Sequence, residues 1–148
     1  MKRTGFKRKV TKKKRKRRDP NSISALKKKL WTKFSLFVRE RDDYTCFTCG
    51  KQATGSGMHA GHFITGATCP ISLYFDESNV HAQCYHDNIN LSGNWVIYEE
   101  NMIDMYGKEH VEDMKLRRTR LMGERKEVEW YKEKIKHYEE ILKEDFGK

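Results

Sequence analysis

Residues 46–50 read Cys-Phe-Thr-Cys-Gly, and residues 79–84 read Asn-Val-His-Ala-Gln-Cys, which places a third cysteine at position 84. Two thiolates separated by two residues can bind one tetrahedral ion, and the glycine that follows permits the tight turn that this requires. The flanking sequence lacks the βαβ pattern that surrounds a redox CxxC pair. The pattern therefore favours a structural zinc site over a redox site.

The sequence leaves the fourth zinc ligand open. A complete knuckle would repeat the CxxC after Cys84, but position 87 holds an aspartate, which can bind zinc through oxygen. Cys69 offers a thiolate from the intervening loop, and His86 offers a ring nitrogen. We rank Asp87 and Cys69 equally and His86 slightly behind them. The predicted zinc ligands are Cys46, Cys49 and Cys84, completed by Asp87 or Cys69.

Positive charge is concentrated in the first part of the chain. The net charge is +10, yet residues 1–41 hold 18 Lys or Arg against two acids, and the remaining residues are net acidic. Such a block suits a polyanion, because side chains that neutralise phosphates release condensed counterions. We predict that residues 1–20 form a basic arm that stays disordered until it meets nucleic acid. A solubilising tail or a localisation signal is the alternative. The predicted DNA-binding residues are Lys12, Lys13, Lys14, Arg15, Lys16, Arg17, Arg18, Lys27, Lys28 and Lys29.

Apolar residues at helical spacing predict helices on both sides of the cysteine-rich segment. The first runs to about Arg41 and has one apolar and one basic face. Others are expected from Asn94 to a stop at Gly107, over 108–118 and over 124–145. The last carries a heptad-like apolar stripe, for which packing onto the same chain is favoured over a coiled-coil homodimer.

Short strands are expected at 44–47, 58–64 and 73–75, and another helix is expected near Cys84. The predicted fold class is α+β: a small zinc-stapled core flanked by an N-terminal amphipathic helix and C-terminal helices. We divide the chain into the basic arm 1–20, a core over 21–95 and a helical region over 96–148. No run of 18 apolar residues and no secretory signal is present. We therefore expect a cytoplasmic protein with no membrane partner. In the cytoplasm, paired cysteines more often bind a metal than form a disulfide.

Between the two halves of the knuckle lie side chains suited to phosphodiester hydrolysis. That reaction needs a base for the attacking water, a cation for the developing charge, and a group that holds the base in place. The stretches 58–63 and 75–84, followed by Asn88, offer histidines, an asparagine and oxygen ligands. A β-hairpin followed by a helix can bring such groups together over one phosphate.

The motifs CxxCG, AGHF, FDExNVHAQC and NxxLSGN over residues 46–94 resemble the NinG (Rap) family of phage recombination nucleases, within the wider HNH superfamily. The resemblance implies a ββα-metal core, DNA as partner and, for a phage-encoded protein, the host cell cytoplasm. It implies that His62 is the general base and that Asn79 locks the loop of this histidine. Asn88 would bind the catalytic cation, Mg²⁺ or Mn²⁺, while zinc serves structure alone.

Two positions depart from the family pattern. Asp87 stands where cysteine is usual, and Gly61 stands where most HNH sites place an acidic or histidine metal ligand. His59 is the substitute ligand we predict; the alternative is a cation held mainly by Asn88, water and the DNA phosphate. The resemblance implies cutting of branched DNA such as Holliday junctions or displaced-strand joints. A non-catalytic zinc-ribbon DNA-binding or adaptor protein is the alternative from another class, and the two departures are what favour it.

Overall fold

The computed structural model describes residues 19–66 and 69–148, and the predicted DNA contacts of Lys12–Arg18 lie outside this part of the chain. The fold is a two-stranded antiparallel hairpin surrounded by helices, in agreement with the α+β class. The elements are α1 Ile23–Arg41, β1 Met58–His62, α2 Ile71–Tyr74, β2 Val80–Cys84, a π-helical turn His86–Asn90, α3 Trp95–Tyr106, α4 Lys108–Arg120 and α5 Val128–Phe146.

The largest apolar cluster joins the first helix to the last. One face of α1 is buried against the apolar stripe of α5, and Phe34 meets Tyr138 edge to face with ring centroids 5.2 Å apart. Such aromatic pairs add about 1 kcal/mol beyond the area that they bury. The heptad-like stripe of α5 therefore packs within its own chain, as expected, and gives no support to a homodimer.

The hairpin sets which side chains share a face. His59 pairs with Gln83 and Gly61 pairs with His81, so these four residues lie on one side of the sheet. His62 lies on the other side, with Val80, which packs into the α1–α5 cluster. A second apolar cluster, built on α3 and α4, covers the loop that follows β1.

Two predicted strands are wrong. Residues 73–75 belong largely to the short helix α2, which begins directly after Pro70. The prediction failed because an apolar run of this length is too short to tell a helical period from a strand period. Residues 44–47 form no strand, since Asp43 and Tyr44 take left-handed backbone conformations with φ of 48° and 49°. Only the single bridge between Thr45 and Gln52 remains there.

The helix expected near Cys84 is the π-helical turn His86–Asn90, which follows β2 after one residue. The helix over 94–107 is confirmed, with Gly107 as its stop at φ +86°. The last helix begins at Val128, a few residues later than predicted. Within residues 19–66 and 69–148, no helix combines the length and the apolar character needed to cross a bilayer.

Candidate functional site

Four side chains from three segments converge on one point. Cys46 and Cys49 lie in the loop after α1, Cys84 ends β2, and Asp87 lies in the π-helical turn; one ligand atom from each lies within 4.8 Å of all the others. Gly50, at φ +70°, permits the turn that folds the first two thiols back. Three sulfurs and one oxygen are the kind of four-donor set that zinc binds. This cluster could hold a metal ion.

Backbone N–H groups point at the sulfurs of the cluster. Cys84 donates its N–H to Cys46 Sγ at 3.2 Å, and Asp87 donates to Cys84 Sγ at 3.5 Å. Burial opposes ionisation of Cys46, but hydrogen bonds from the Cys84 N–H and from Thr48 leave its pKa below the usual range. Burial and the two neighbouring sulfurs raise the pKa of Cys49 to about 12. If all three thiols ionised, their negative charges would need a cation between them, which a bound metal ion would supply.

Of the two alternatives for the fourth ligand, Asp87 belongs to the cluster and Cys69 does not. The Cys69 thiol donates to the carbonyl of Ile64 at 3.5 Å and packs against the α3–α4 cluster. His86 is exposed, and its Nδ1 lies 3.0 Å from Asp87 Oδ1, so it contacts the candidate ligand from outside. The prediction of Cys69 as a ligand is not supported by this placement.

Asn79 ties together the two ends of the loop that follows β1. Its side chain is fully buried; Oδ1 accepts from the Ile64 N–H at 2.7 Å, and Nδ2 donates to the carbonyls of Ile64 at 3.1 Å and Leu73 at 2.9 Å. Ile64 follows β1 by two residues, and Leu73 lies in α2. The amide therefore fixes α2 beside the end of β1, where His62 lies.

His62 is half-buried between two aromatic rings. Its ring stacks on Trp31 at 5.1 Å and tilts against Tyr74 at 4.4 Å. His62 Nε2 lies 3.0 Å from the Tyr74 carbonyl oxygen, which can only accept, so Nε2 carries the proton and Nδ1 keeps a free lone pair. Burial, with a smaller effect of Lys27, lowers the pKa of His62. The ring is therefore neutral near pH 7 and able to accept a proton.

The structure also brings His59 and Asn88 together. Asn88 Nδ2 lies 2.9 Å from His59 Nδ1, and both residues line a cavity of about 300 Å³ alongside β1. Trp31 lines the same cavity and stacks on His62. His59 and His62 themselves lie on opposite faces of the hairpin, so Trp31 is the shared neighbour that links the two histidines.

The family model described as bacteriophage lambda NinG protein matches residues 1–145. This chain belongs to the NinG family. Two curated relatives, both called protein ninG, come from Escherichia phages 933W and lambda and are 40% and 39% identical over 87 residues. That match covers 58% of this chain and 42% of each relative, so the matched segment spans about two fifths of their length. No solved structure matches this NinG-family chain.

Gln83 is a residue of this NinG-family site that we did not single out from the sequence. It lies opposite His59 in the hairpin and is fully buried. Its Nε2 donates to the Gly93 carbonyl at 2.6 Å. Over the part of the chain that the structure describes, its Oε1 is the only buried side-chain nitrogen or oxygen with no hydrogen-bond partner. The signal in the sequence is weak, because Gln83 is one of two polar residues, with His81, in a five-residue strand.

His81 lies in the interior. Tyr98 donates its hydroxyl to the Gly61 carbonyl at 2.9 Å and so accepts from His81 Nδ1 at 3.1 Å. Tyr106 then donates to His81 Nε2 at 2.9 Å. Burial, with a smaller effect of Arg41, lowers the pKa of His81 to about 4. A neutral ring therefore completes a chain of hydrogen bonds that ends on β1.

The three lysines predicted to bind DNA from α1 differ in their surroundings. Lys27 lies over the Tyr74 ring, 4.5 Å from its centroid, and thus close to His62. Lys28 is exposed. Lys29 Nζ lies 3.3 Å from a carboxylate oxygen of Glu139 on α5, so part of its charge is already compensated within the chain.

Proposed function

We propose that this NinG-family chain is a metal-dependent DNA endonuclease of the HNH type, which hydrolyses phosphodiesters in branched recombination intermediates such as Holliday junctions and D-loops. The observation that carries the proposal is the setting of His62. Its ring is neutral near pH 7, its Nε2–H is held by the Tyr74 carbonyl, and its Nδ1 carries the lone pair that can accept a proton. These are the properties of a general base whose orientation is fixed before the substrate arrives.

In this proposal His62 Nδ1 takes the proton of the attacking water. The Tyr74 carbonyl keeps the ring in the required tautomer and stabilises the imidazolium that forms, since a carbonyl oxygen accepts from N–H in either protonation state. Asn79 holds α2, and with it this carbonyl, against the end of β1. The stacked ring of Trp31 limits rotation of His62.

The HNH type also implies a divalent cation, and the residues beside Gly61 suit one. Asn88 donates its Nδ2 to His59, which leaves Oδ1 facing the space beside Gly61. Amide oxygen is a ligand that Mg²⁺ and Mn²⁺ accept. When bound there, the cation would stabilise negative charge on the phosphate and on the leaving oxygen. Because Gly61 and His62 face opposite sides of the hairpin, the phosphate would lie along the edge of β1 away from β2, where it could meet both groups. His59 in this arrangement orients the Asn88 amide.

The cysteine cluster and the lysines have separate roles in the proposal. Zinc bound by Cys46, Cys49, Cys84 and Asp87 would join the loop after α1 to β2 and to the turn that carries Asn88. Lys27 and Lys28 would contact phosphates, together with the basic arm. Such contacts position a protein and carry little sequence information, so we expect the shape of the DNA to select the site of cleavage.

Cleavage of a four-way junction and of linear duplex DNA of the same sequence tests this proposal. We expect Mg²⁺- or Mn²⁺-dependent cutting, stronger on the junction, and a loss of at least about 100-fold in His62→Ala, the usual cost of removing a general base. His137→Ala is the matched control, because His137 is exposed on α5. DNA binding without cutting by the unmodified protein would instead identify a non-catalytic adaptor.

A further inference from the structure

An unpaired oxygen lies beside the residue that departs from the HNH pattern. Gln83 Nε2 is anchored by the Gly93 carbonyl at 2.6 Å and approaches Thr48 Oγ1 at 3.3 Å, so the amide is held with Oε1 directed away from both. The side chain is fully buried, and this oxygen has no partner among residues 19–66 and 69–148. A buried acceptor without a donor costs about 1–3 kcal/mol, so an unpaired one needs an explanation.

Gln83 Oε1 and Asn88 Oδ1 point into the same space. A Cβ placed on Gly61 would overlap Gln83 Oε1 and would lie 3.2 Å from Asn88 Oδ1. Each amide is oriented by its own donor contact, Gln83 to Gly93 and Asn88 to His59. Two carbonyl oxygens therefore converge where a side chain at position 61 would begin.

We infer that Gln83 is a ligand of the catalytic cation and supplies, from the neighbouring strand, the ligand that Gly61 lacks. This inference rests on the proposed function. Two neutral amide oxygens form a hard donor pair suited to Mg²⁺ or Mn²⁺. Gly61 is required in this arrangement because any side chain there displaces Gln83 Oε1.

Mn²⁺ binding to the zinc-loaded full chain without DNA tests the inference, measured by water-proton relaxation. Gln83→Met removes both the oxygen and the donor to Gly93. Gln83→Glu, the matched variant, also removes that donor but keeps an oxygen at the same reach. We expect Gln83→Met to weaken Mn²⁺ binding by about tenfold or more, and Gln83→Glu to bind at least as tightly as the unmodified protein. Equal losses in both variants, no loss in either, or no Mn²⁺ binding by the unmodified protein would overturn the inference.

A double-mutant cycle tests the proximity of the two positions independently of the metal. Gly61→Ala should destabilise the protein because its Cβ meets Gln83 Oε1, and the same substitution should cost much less in a Gln83→Ala background. Additive losses of stability would contradict this placement.

The two proposals fail in different ways. Mn²⁺ binding through Gln83 by a protein that cuts neither junction nor linear DNA would support the ligand assignment and refute the nuclease proposal. Cleavage of DNA by the unmodified protein, with normal Mn²⁺ binding by the Gln83→Met variant, would support the nuclease proposal and refute Gln83 as a ligand.

Discussion

Replacing Asn79 with alanine tests whether this amide holds the loop that positions His62. The substitution removes three buried hydrogen bonds of unequal value. The carbonyl of Leu73 still accepts from the Asp76 N–H at 3.2 Å, and that of Ile64 still accepts from the Cys69 thiol at 3.5 Å. The Ile64 N–H loses its side-chain acceptor, and an orphaned buried donor costs about 1–3 kcal/mol. With smaller losses at the two carbonyls, we expect Asn79→Ala to lower the free energy of unfolding by about 3 kcal/mol.

Urea unfolding of the zinc-loaded protein measures this loss. At the slopes usual for small proteins, about 3 kcal/mol shifts the midpoint by more than about 1 M. Asn101→Ala is the control, because Asn101 is half-buried and donates one hydrogen bond, to the Phe47 carbonyl at 2.6 Å, away from the His62 loop. It should lose about 1 kcal/mol. Equal losses in the two variants, or normal hydrogen-exchange protection of the Ile64 amide in Asn79→Ala, would refute the role given to Asn79.

Three further predictions concern other parts of the molecule. The pKa of His81 is about 4 in the folded protein and near 6.5 in the unfolded protein. Between these values the unfolded state binds more protons, so the free energy of unfolding falls as the pH is lowered through this range. Between pH 7 and pH 4, unmodified protein should lose about 3 kcal/mol more stability than His81→Gln. Cys46→Ser should release zinc and unfold the middle of the chain, whereas Cys69→Ser should retain zinc; metal analysis and circular dichroism decide this. DNA affinity should fall steeply with added salt, and Lys27→Ala should lower the slope of log affinity against log salt by about one.

The helices could be predicted from the sequence because each buries a stripe of apolar residues at helical spacing. The stripe on α1 includes Leu26, Leu30 and Phe34, and all three are buried. The strand predicted at 73–75 failed for the opposite reason, since an apolar run of a few residues has no period to measure. Its helical form is accompanied by the hydrogen bond from Asn79 to the Leu73 carbonyl and by packing against α4, and the second contact is distant in sequence.

Some features of the candidate site could be predicted and others could not. The spacing of Cys46, Cys49 and Cys84 indicates a shared metal, because local chain geometry brings such residues together. The choice of Asp87 over Cys69 depends on the path of a loop, which no local pattern reveals. The free oxygen of Gln83 depends on how closely the Gly93 carbonyl approaches its amide, and that distance exists only in the folded chain.

Chemical rescue of His62→Gly tests the central claim most directly. Removing the ring leaves a slot between Trp31 and Tyr74, with the Tyr74 carbonyl in place to orient an added imidazole. Under single-turnover conditions with Mn²⁺ and a four-way junction, we expect the variant to cut at least about 100-fold more slowly than the unmodified protein, and imidazole to restore part of the rate. A variant that cuts at the unmodified rate without imidazole would contradict the assignment of His62 as the base.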